Sequence, residues 1–204
     1  IKKQHLAKTF RCLRYLQRFC SHVVLKVRSL SASFAISHLT SATYTFQKRP
    51  MRRQQNRSTQ FAAKGELLIL FFGYTNCPDL CPTTLADIRA AFARIGDDAE
   101  KVSVAFVTVD PERDTAQLLT NYVGSFVDRF HILRTTDFKE LQVAKDAFLA
   151  ASAIEKTSDG KVEVSHTATA YVIDDTGLVV DELPFGVGAD GFENDLKILL
   201  RKTN

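Results

Sequence analysis

The chain has 204 residues, 45% of them hydrophobic and 25% charged, which is typical of one globular domain plus an extension. The net charge of +4 is unevenly distributed. Residues 1–65 contain 14 of the 27 lysines and arginines and no acid, which leaves 13 basic against all 23 acidic residues for the remainder. This acidic remainder argues against nucleic-acid binding by the folded part. The four cysteines are too few for a disulfide scaffold but fit one reactive or metal-binding pair.

Residues 1–43 are a basic, acid-free extension that we predict to be disordered or to act as a targeting segment. An arm that binds nucleic acid or anionic lipid is a third interpretation. The most apolar stretch, 23–39, is interrupted by Lys26 and Arg28. It is also shorter than the roughly 20 apolar residues of a membrane span, so no anchor is predicted. We expect no role for Cys12 and Cys20.

From Tyr44 the sequence reads as one domain, 44–204, with a polar loop or hairpin over 48–60. The run 67–72 is continuously apolar, as in a strand covered on both faces, and apolar residues recur at helical spacing in 83–95. Strands alternating with helices, followed by a hairpin and a final helix, predict a three-layer α/β or α+β sandwich. We predict strands at 44–47, 67–72, 102–109, 130–133, 168–173 and 178–183, a hairpin over 153–164, and helices at 83–95, 115–127, 137–150 and 190–201.

Polar residues mark the predicted helix ends. Gly96 is expected to end the first helix, and Asp114 or Thr115 to cap the second. Asp137 and Glu140 have the spacing of a capping box at the third helix. The segment 110–114 is predicted to be a capped loop, placed after a strand end where it is able to border a site.

Cys77 and Cys81 lie between a buried strand and a helix, where ligands gather in such folds. At this spacing, inclusion in the first helical turn places their Cα atoms about 6 Å apart. That distance permits a disulfide or shared coordination of one ion. The helix N-terminus favours the thiolate, and Pro78 and Pro82 suit a first turn. Two thiolates suit soft ions such as Cu(I), and also zinc. The alternatives to a metal site are a metal-free redox pair, or two cysteines that are buried as small residues without further function.

A metal site needs a third ligand, and His166 is the best candidate because it precedes the strand 168–173, which we expect to place it at the same edge of the sheet. His131 lies in a short apolar strand and is expected to be structural, while the other three histidines fall in the basic extension. Asp79, between the cysteines, is expected to cap the helix or face solvent.

Several separated motifs resemble the SCO/SenC family, with matching order and spacing over about residues 61–200. They are Phe71-Phe72-Gly73-Tyr74-Thr75, then Cys77-Pro78-Asp79 with Cys81-Pro82, then Val109-Asp110-Pro111-Glu112-Arg113-Asp114-Thr115, and finally His166-Thr167-Ala168 with Tyr171-Val172-Ile173-Asp174.

The resemblance implies a thioredoxin-like α/β fold, with a central mixed sheet flanked by helices. It implies copper binding, most simply as Cu(I), by Cys77, Cys81 and His166. It also implies a role in assembling the binuclear copper centre of cytochrome c oxidase, by copper delivery, by reduction of thiols, or both. The implied partners are the copper-centre subunit of the oxidase and other copper chaperones. The implied location is the extracytoplasmic face of a respiratory membrane, in the periplasm or the mitochondrial intermembrane space.

This chain departs from the family pattern at three points. No membrane anchor is readable, although membrane association stays open. Asn76 stands at a position that varies and is often histidine in the family. Ser165 stands where an aspartate commonly precedes the metal histidine, so a carboxylate that would orient the imidazole is missing. In addition, no proline lies between Pro111 and Pro184, so the cis-proline that thioredoxins place opposite their cysteines is absent.

The sequence therefore predicts a copper metallochaperone with Cys77 and Cys81 as a redox-sensitive pair. The main alternative is a thiol–disulfide oxidoreductase, which needs both cysteines but not His166. A peroxidase would need a peroxide pocket that nothing in the sequence specifies. A structural zinc site would need more than three ligands for a closed tetrahedron.

Overall fold

The computed structural model describes residues 43–47, 62–156, 158 and 162–203. The predicted loop 48–60 and almost all of the extension 1–43 lie outside the described residues. The strands are β1 Thr43–Gln47, β2 Leu67–Gly73, β3 Val102–Thr108, β4 Arg129–Leu133, β5 Ser152–Lys156, β6 Val162–His166, β7 Ala170–Ile173 and β8 Val179–Leu183. The helices are α1 Leu80–Ile95, α2 Ala116–Gly124, α3 Phe138–Ala147 and α4 Gly188–Thr203, and a 3₁₀ helix spans Gly96–Lys101.

Six strands form a mixed sheet in the order β1-β4-β3-β2-β7-β8. The central strands β2, β3 and β4 are parallel, whereas β1, β7 and β8 each run antiparallel to their neighbours. Strands β5 and β6 form a separate antiparallel hairpin, with Ser152 opposite His166. Helix α1 packs against α4. The predicted mixed sheet with flanking helices is confirmed.

Every residue of β2 and β3 is buried, as the continuous apolar run of β2 predicts. Phe71 and Phe106 are register partners on these strands, and both are fully buried. Each such side chain contributes about 1.5–3 kcal/mol through removal of apolar surface from water. The two strands therefore form a rigid platform, and the loop that carries the cysteines leaves from its carboxyl end.

Helix α1 begins at Leu80, three residues before the predicted start at Thr83. The backbone N–H of Thr83 donates to the carbonyl of Asp79, which closes the first turn around Pro82. A proline is tolerated there because the first-turn N–H groups have no partner within the helix. Cys81 is therefore helical, and Cys77 lies in the preceding loop. The helix ends at Gly96, as predicted, where φ is +62°.

The predicted caps are partly right. Thr115 caps α2, and its side chain accepts a hydrogen bond from the N–H of Leu118. Asp137 caps α3 and accepts from the N–H of Lys139. Glu140 instead accepts from the hydroxyl of Thr135, so the reciprocal half of the expected capping box is replaced by a contact outside the helix.

Candidate metal centre

The cysteine pair lies at the carboxyl end of β2. The N–H of Cys77 donates to the carbonyl of Tyr74 across a turn, at 3.3 Å. The N–H of Cys81, in the first turn of α1, donates to the Sγ of Cys77 at 3.4 Å. Cys81 is fully buried, whereas 8% of Cys77 is exposed. Both are free thiols, and the first-turn N–H of the helix is aimed at the more accessible sulfur.

His166 is the last residue of β6 and faces both sulfurs. Its Nε2 lies 3.4 Å from the Sγ of Cys81 and 4.0 Å from the Sγ of Cys77. Its Nδ1 lies 3.0 Å from the backbone carbonyl of Thr167. Because a carbonyl only accepts, Nδ1 carries the proton of the neutral ring, and the lone pair of Nε2 is directed at the sulfurs.

The ligand atoms of Cys77, Cys81 and His166 all lie within 4.8 Å of one another. Within the part of the chain that the structure describes, this is the one group of three or more such side chains close enough to hold an ion. Two sulfurs and an imidazole nitrogen, without an oxygen ligand, suit Cu(I) or Zn²⁺ rather than Mg²⁺ or Ca²⁺. The structure thus brings together the three residues singled out from the sequence.

Burial controls the protonation of two of these groups. It raises the pKa of the Cys81 thiol well above its usual range, although the backbone amide of Tyr74 acts in the opposite direction. It lowers the pKa of His166, against the opposing effect of the Thr167 and Phe72 carbonyls. Without metal, Cys81 is therefore a neutral thiol and His166 a neutral imidazole at pH 7. At Cys81, burial outweighs the helix N-terminus that was expected to favour the thiolate.

Aromatic rings surround the imidazole on two sides. Tyr74 meets the ring of His166 edge-on, with 5.7 Å between centroids, and Phe71 does so at 6.1 Å. The hydroxyl of Tyr74 donates to the backbone carbonyl of Val164 at 3.2 Å. Burial first, and the neighbouring Cys77 second, raise the pKa of Tyr74 to about 12, so its hydroxyl remains a donor at neutral pH.

Asp114 organises the loop before the cysteines. Its carboxylate is fully buried and accepts from the backbone N–H of Thr75 at 3.2 Å and from the Thr75 hydroxyl at 2.5 Å. It also accepts from the hydroxyl of Thr108, at the end of β3, at 2.6 Å. Segment 110–114 does border the site, as predicted. Asp114 serves there as a buried hydrogen-bond acceptor and not as the cap of α2.

One departure from the family pattern, Ser165 before the candidate metal histidine, has a local explanation. Ser165 is exposed whereas His166 faces the site, because neighbouring strand residues point to opposite faces. The imidazole is oriented instead by the hydrogen bond that its Nδ1–H donates to the carbonyl of Thr167. Thr167 is itself held by Ala151, whose carbonyl accepts from the Thr167 N–H at 2.8 Å and whose N–H donates to the Thr167 hydroxyl at 2.9 Å. A backbone acceptor leaves no mark in a sequence, so sequence reasoning missed it.

The remaining candidates within the described residues, Asp79 and His131, do not belong to the group of possible metal ligands. Asp79 is exposed and accepts from the hydroxyl of Thr83, in agreement with its predicted place at the solvent-facing helix start. His131 lies in β4, opposite Ala105 of β3. Burial first, and then Arg129, lower the pKa of His131 to about 4, consistent with the expected structural role.

A mixed sheet with a Cys–Cys–His group at the carboxyl end of a central strand defines a thioredoxin-like domain with a candidate metal centre. The SCO1/SenC family model matches residues 42–201, and the chain belongs to this family. It is 33% identical over 127 residues to the mitochondrial SCO2 homolog of Danio rerio, an alignment that covers 61% of this chain and 46% of that relative. The chain thus spans about half the length of this relative.

Solved structures of Sco proteins share the fold. The copper-bound structure of ScoI from Bradyrhizobium japonicum is 34% identical with a TM-score of 0.58, covering 67% of this chain and 86% of that one. The copper-bound structure of Arabidopsis thaliana ScoI is 27% identical with a TM-score of 0.62, covering 68% and 86%. Among the described helices of this chain, none is long and apolar enough to cross a membrane.

Proposed function

We propose that the chain is a copper metallochaperone that holds Cu(I) between Cys77, Cys81 and His166. The observation that carries the proposal is the convergence of two sulfurs and one bare imidazole nitrogen within 4.8 Å. This donor set favours a soft ion with a low coordination number. Copper in the related ScoI structures supports the choice of copper over zinc.

The site is built so that copper is able to leave it by ligand exchange. Cys77 lies in a loop and keeps 8% of its surface exposed, whereas Cys81 is fully buried in α1. An incoming thiolate of a partner protein would therefore replace Cys77 first, and each new bond to copper would accompany the loss of one old bond. Copper thus keeps its coordination number during transfer. The recipient we propose is the copper-centre subunit of cytochrome c oxidase, and other copper chaperones would supply the ion.

The proposed location is the extracytoplasmic face of a respiratory membrane, in the periplasm or the mitochondrial intermembrane space. Mitochondrial relatives such as the SCO2 homolog support it. Residues 1–43 would then serve as a targeting or disordered extension of the domain 44–204.

Titration of the reduced full chain with Cu(I), in competition with a chromophoric chelator, tests the proposal. We expect one tightly bound Cu(I) per chain, and loss of tight binding in the Cys77→Ser, Cys81→Ser variant. A Cys12→Ser, Cys20→Ser variant is the matched control, since it also loses two thiols but should bind one Cu(I) normally. Tight binding that survives replacement of Cys77 and Cys81 would refute the proposal.

A thiol–disulfide oxidoreductase is the second candidate, because both cysteines are free thiols and Cys77 receives the first-turn N–H of α1. In this reaction the two thiols of the chain become a disulfide while a partner disulfide becomes two thiols, so electrons and protons balance. His166→Ala discriminates between the two functions. It should weaken copper binding severely if the chain is a copper chaperone, but should leave reduction of a partner disulfide intact if the chain is an oxidoreductase.

A further inference from the structure

Tyr74 connects the two parts of the chain that supply the metal ligands. It lies in the loop between β2 and Cys77, and 7% of its surface is exposed. Its hydroxyl donates to the carbonyl of Val164 in β6, the strand that ends at His166. One side chain thus links the cysteine loop to the histidine strand.

The histidine strand has few other connections to the sheet. Among the described residues, β5 and β6 pair with each other and with no strand of the six-stranded sheet. At its end, β6 is held through the two hydrogen bonds between Thr167 and Ala151. Two residues before His166, the hydroxyl of Tyr74 holds the carbonyl of Val164. The position of the imidazole over the sulfurs therefore depends on these two attachments, on ring packing and on the contact of His166 with the carbonyl of Phe72.

We propose that Tyr74 is a positioning residue, whose hydroxyl keeps His166 on the copper ligand set by holding the backbone of β6 at Val164. The inference rests on the proposed copper-binding function. Tyr74 is not a ligand in this proposal, since its hydroxyl is directed to the Val164 carbonyl. Its effect on copper passes through the placement of the Nε2 of His166, which lies 3.4 Å from the Sγ of Cys81.

The ring and the hydroxyl of Tyr74 contribute separately to the placement of His166. Phenylalanine at position 74 would retain the edge-on contact with His166 but lose the hydrogen bond to the Val164 carbonyl and the hydroxyl's contact with the Cys77 thiol. A lost bond of this kind corresponds to about a five- to tenfold change in an equilibrium or a rate. Tyr122 supplies a matched control. Its ring packs on Phe106 and Phe126, and its buried hydroxyl has no hydrogen-bond partner among the described residues.

The first measurement is the rate at which the Cu(I)-loaded full chain loses copper to excess bathocuproine disulfonate. We expect Tyr74→Phe to accelerate copper loss about five- to tenfold, and Tyr122→Phe to leave the rate at the wild-type value. In a His166→Ala background, Tyr74→Phe should add no further acceleration. A wild-type rate in Tyr74→Phe would overturn the proposal, as would an acceleration that persists without His166, because Tyr74 would then act on the cysteine loop alone.

The second measurement needs no copper. Amide hydrogen exchange in the metal-free full chain should be faster in β6 for Tyr74→Phe than for the wild type, and unchanged for Tyr122→Phe. Equal protection of β6 in all three proteins would overturn the positioning role. If the wild-type chain failed to bind Cu(I), the proposed function would fall, while hydrogen exchange would still decide whether Tyr74 holds the histidine strand.

Discussion

Gly73, the last residue of β2, has room for a hydrogen atom but not for a methyl group. A Cβ at this position would lie 2.7 Å from Cζ of Phe106 and 2.9 Å from the Sγ of Cys81. Carbon atoms in contact normally lie about 3.5–4.0 Å apart. In Gly73→Ala, the phenyl ring would therefore have to move by about 1 Å within a closely packed core, and the sulfur would have to move away from the strand.

Both displacements have a measurable cost. Overpacking in a well-packed core destabilises by about 1–3 kcal/mol, which is a fraction of the roughly 5–15 kcal/mol of a folded domain. The variant should therefore still fold. A sulfur displaced by more than about 0.5 Å leaves the productive ligand geometry. We therefore expect Cu(I) affinity to fall by at least about tenfold, equivalent to about 1.4 kcal/mol.

Urea unfolding and Cu(I) competition titration of the full chain measure the two effects separately. Gly124→Ala is the matched control, because its Cβ would lie 3.3 Å from the ring of Phe130, where a shift of a few tenths of an ångström suffices. This control should change stability by less than about 1 kcal/mol and should bind copper normally. Wild-type stability together with wild-type affinity in Gly73→Ala would refute the close-packing argument.

Three further predictions concern stability. The unfolded chain protonates His131 near pH 6.5 and the folded protein only near pH 4, so stability is lost as the pH falls between these values, by roughly 2–3 kcal/mol. In His131→Gln, the free energy of unfolding measured with urea should fall less steeply between pH 7 and pH 4.5 than in the wild type. An unchanged pH dependence of this free energy would contradict the prediction. Asp114→Ala leaves the Thr75 N–H and the hydroxyls of Thr75 and Thr108 without their acceptor, so it should destabilise the fold by about 2 kcal/mol or more. Asp114→Asn should destabilise it less. Equal melting temperatures for these two variants would contradict the prediction. Thr115→Ala should cost about 1 kcal/mol through loss of the α2 cap, with Cu(I) affinity unchanged; weaker copper binding would mean that the cap also supports the site.

The features predicted correctly from the sequence are those that depend on residues close together along the chain. The apolar run of β2, the cap at Thr115 and the helix end at Gly96 depend on neighbours within a few residues, so they are visible in the sequence. Helix α1 begins three residues before the predicted start because Pro82 is accommodated in its first turn, where the N–H groups have no partner within the helix. Glu140 was misassigned because its partner, the hydroxyl of Thr135, lies outside the helix.

For the candidate site, the sequence by itself determined the two cysteines, because a spacing of four residues at a strand–helix junction places them together. It named His166 through its motif and its place before a strand. Only the tertiary structure decided how these residues are held. The Tyr74–Val164 hydrogen bond joins residues 90 positions apart, and the Asp114–Thr75 bonds join residues 39 positions apart. Such contacts depend on how strands and loops pack, and the backbone carbonyls that orient His166 and hold Tyr74 have no side-chain identity for a sequence to reveal.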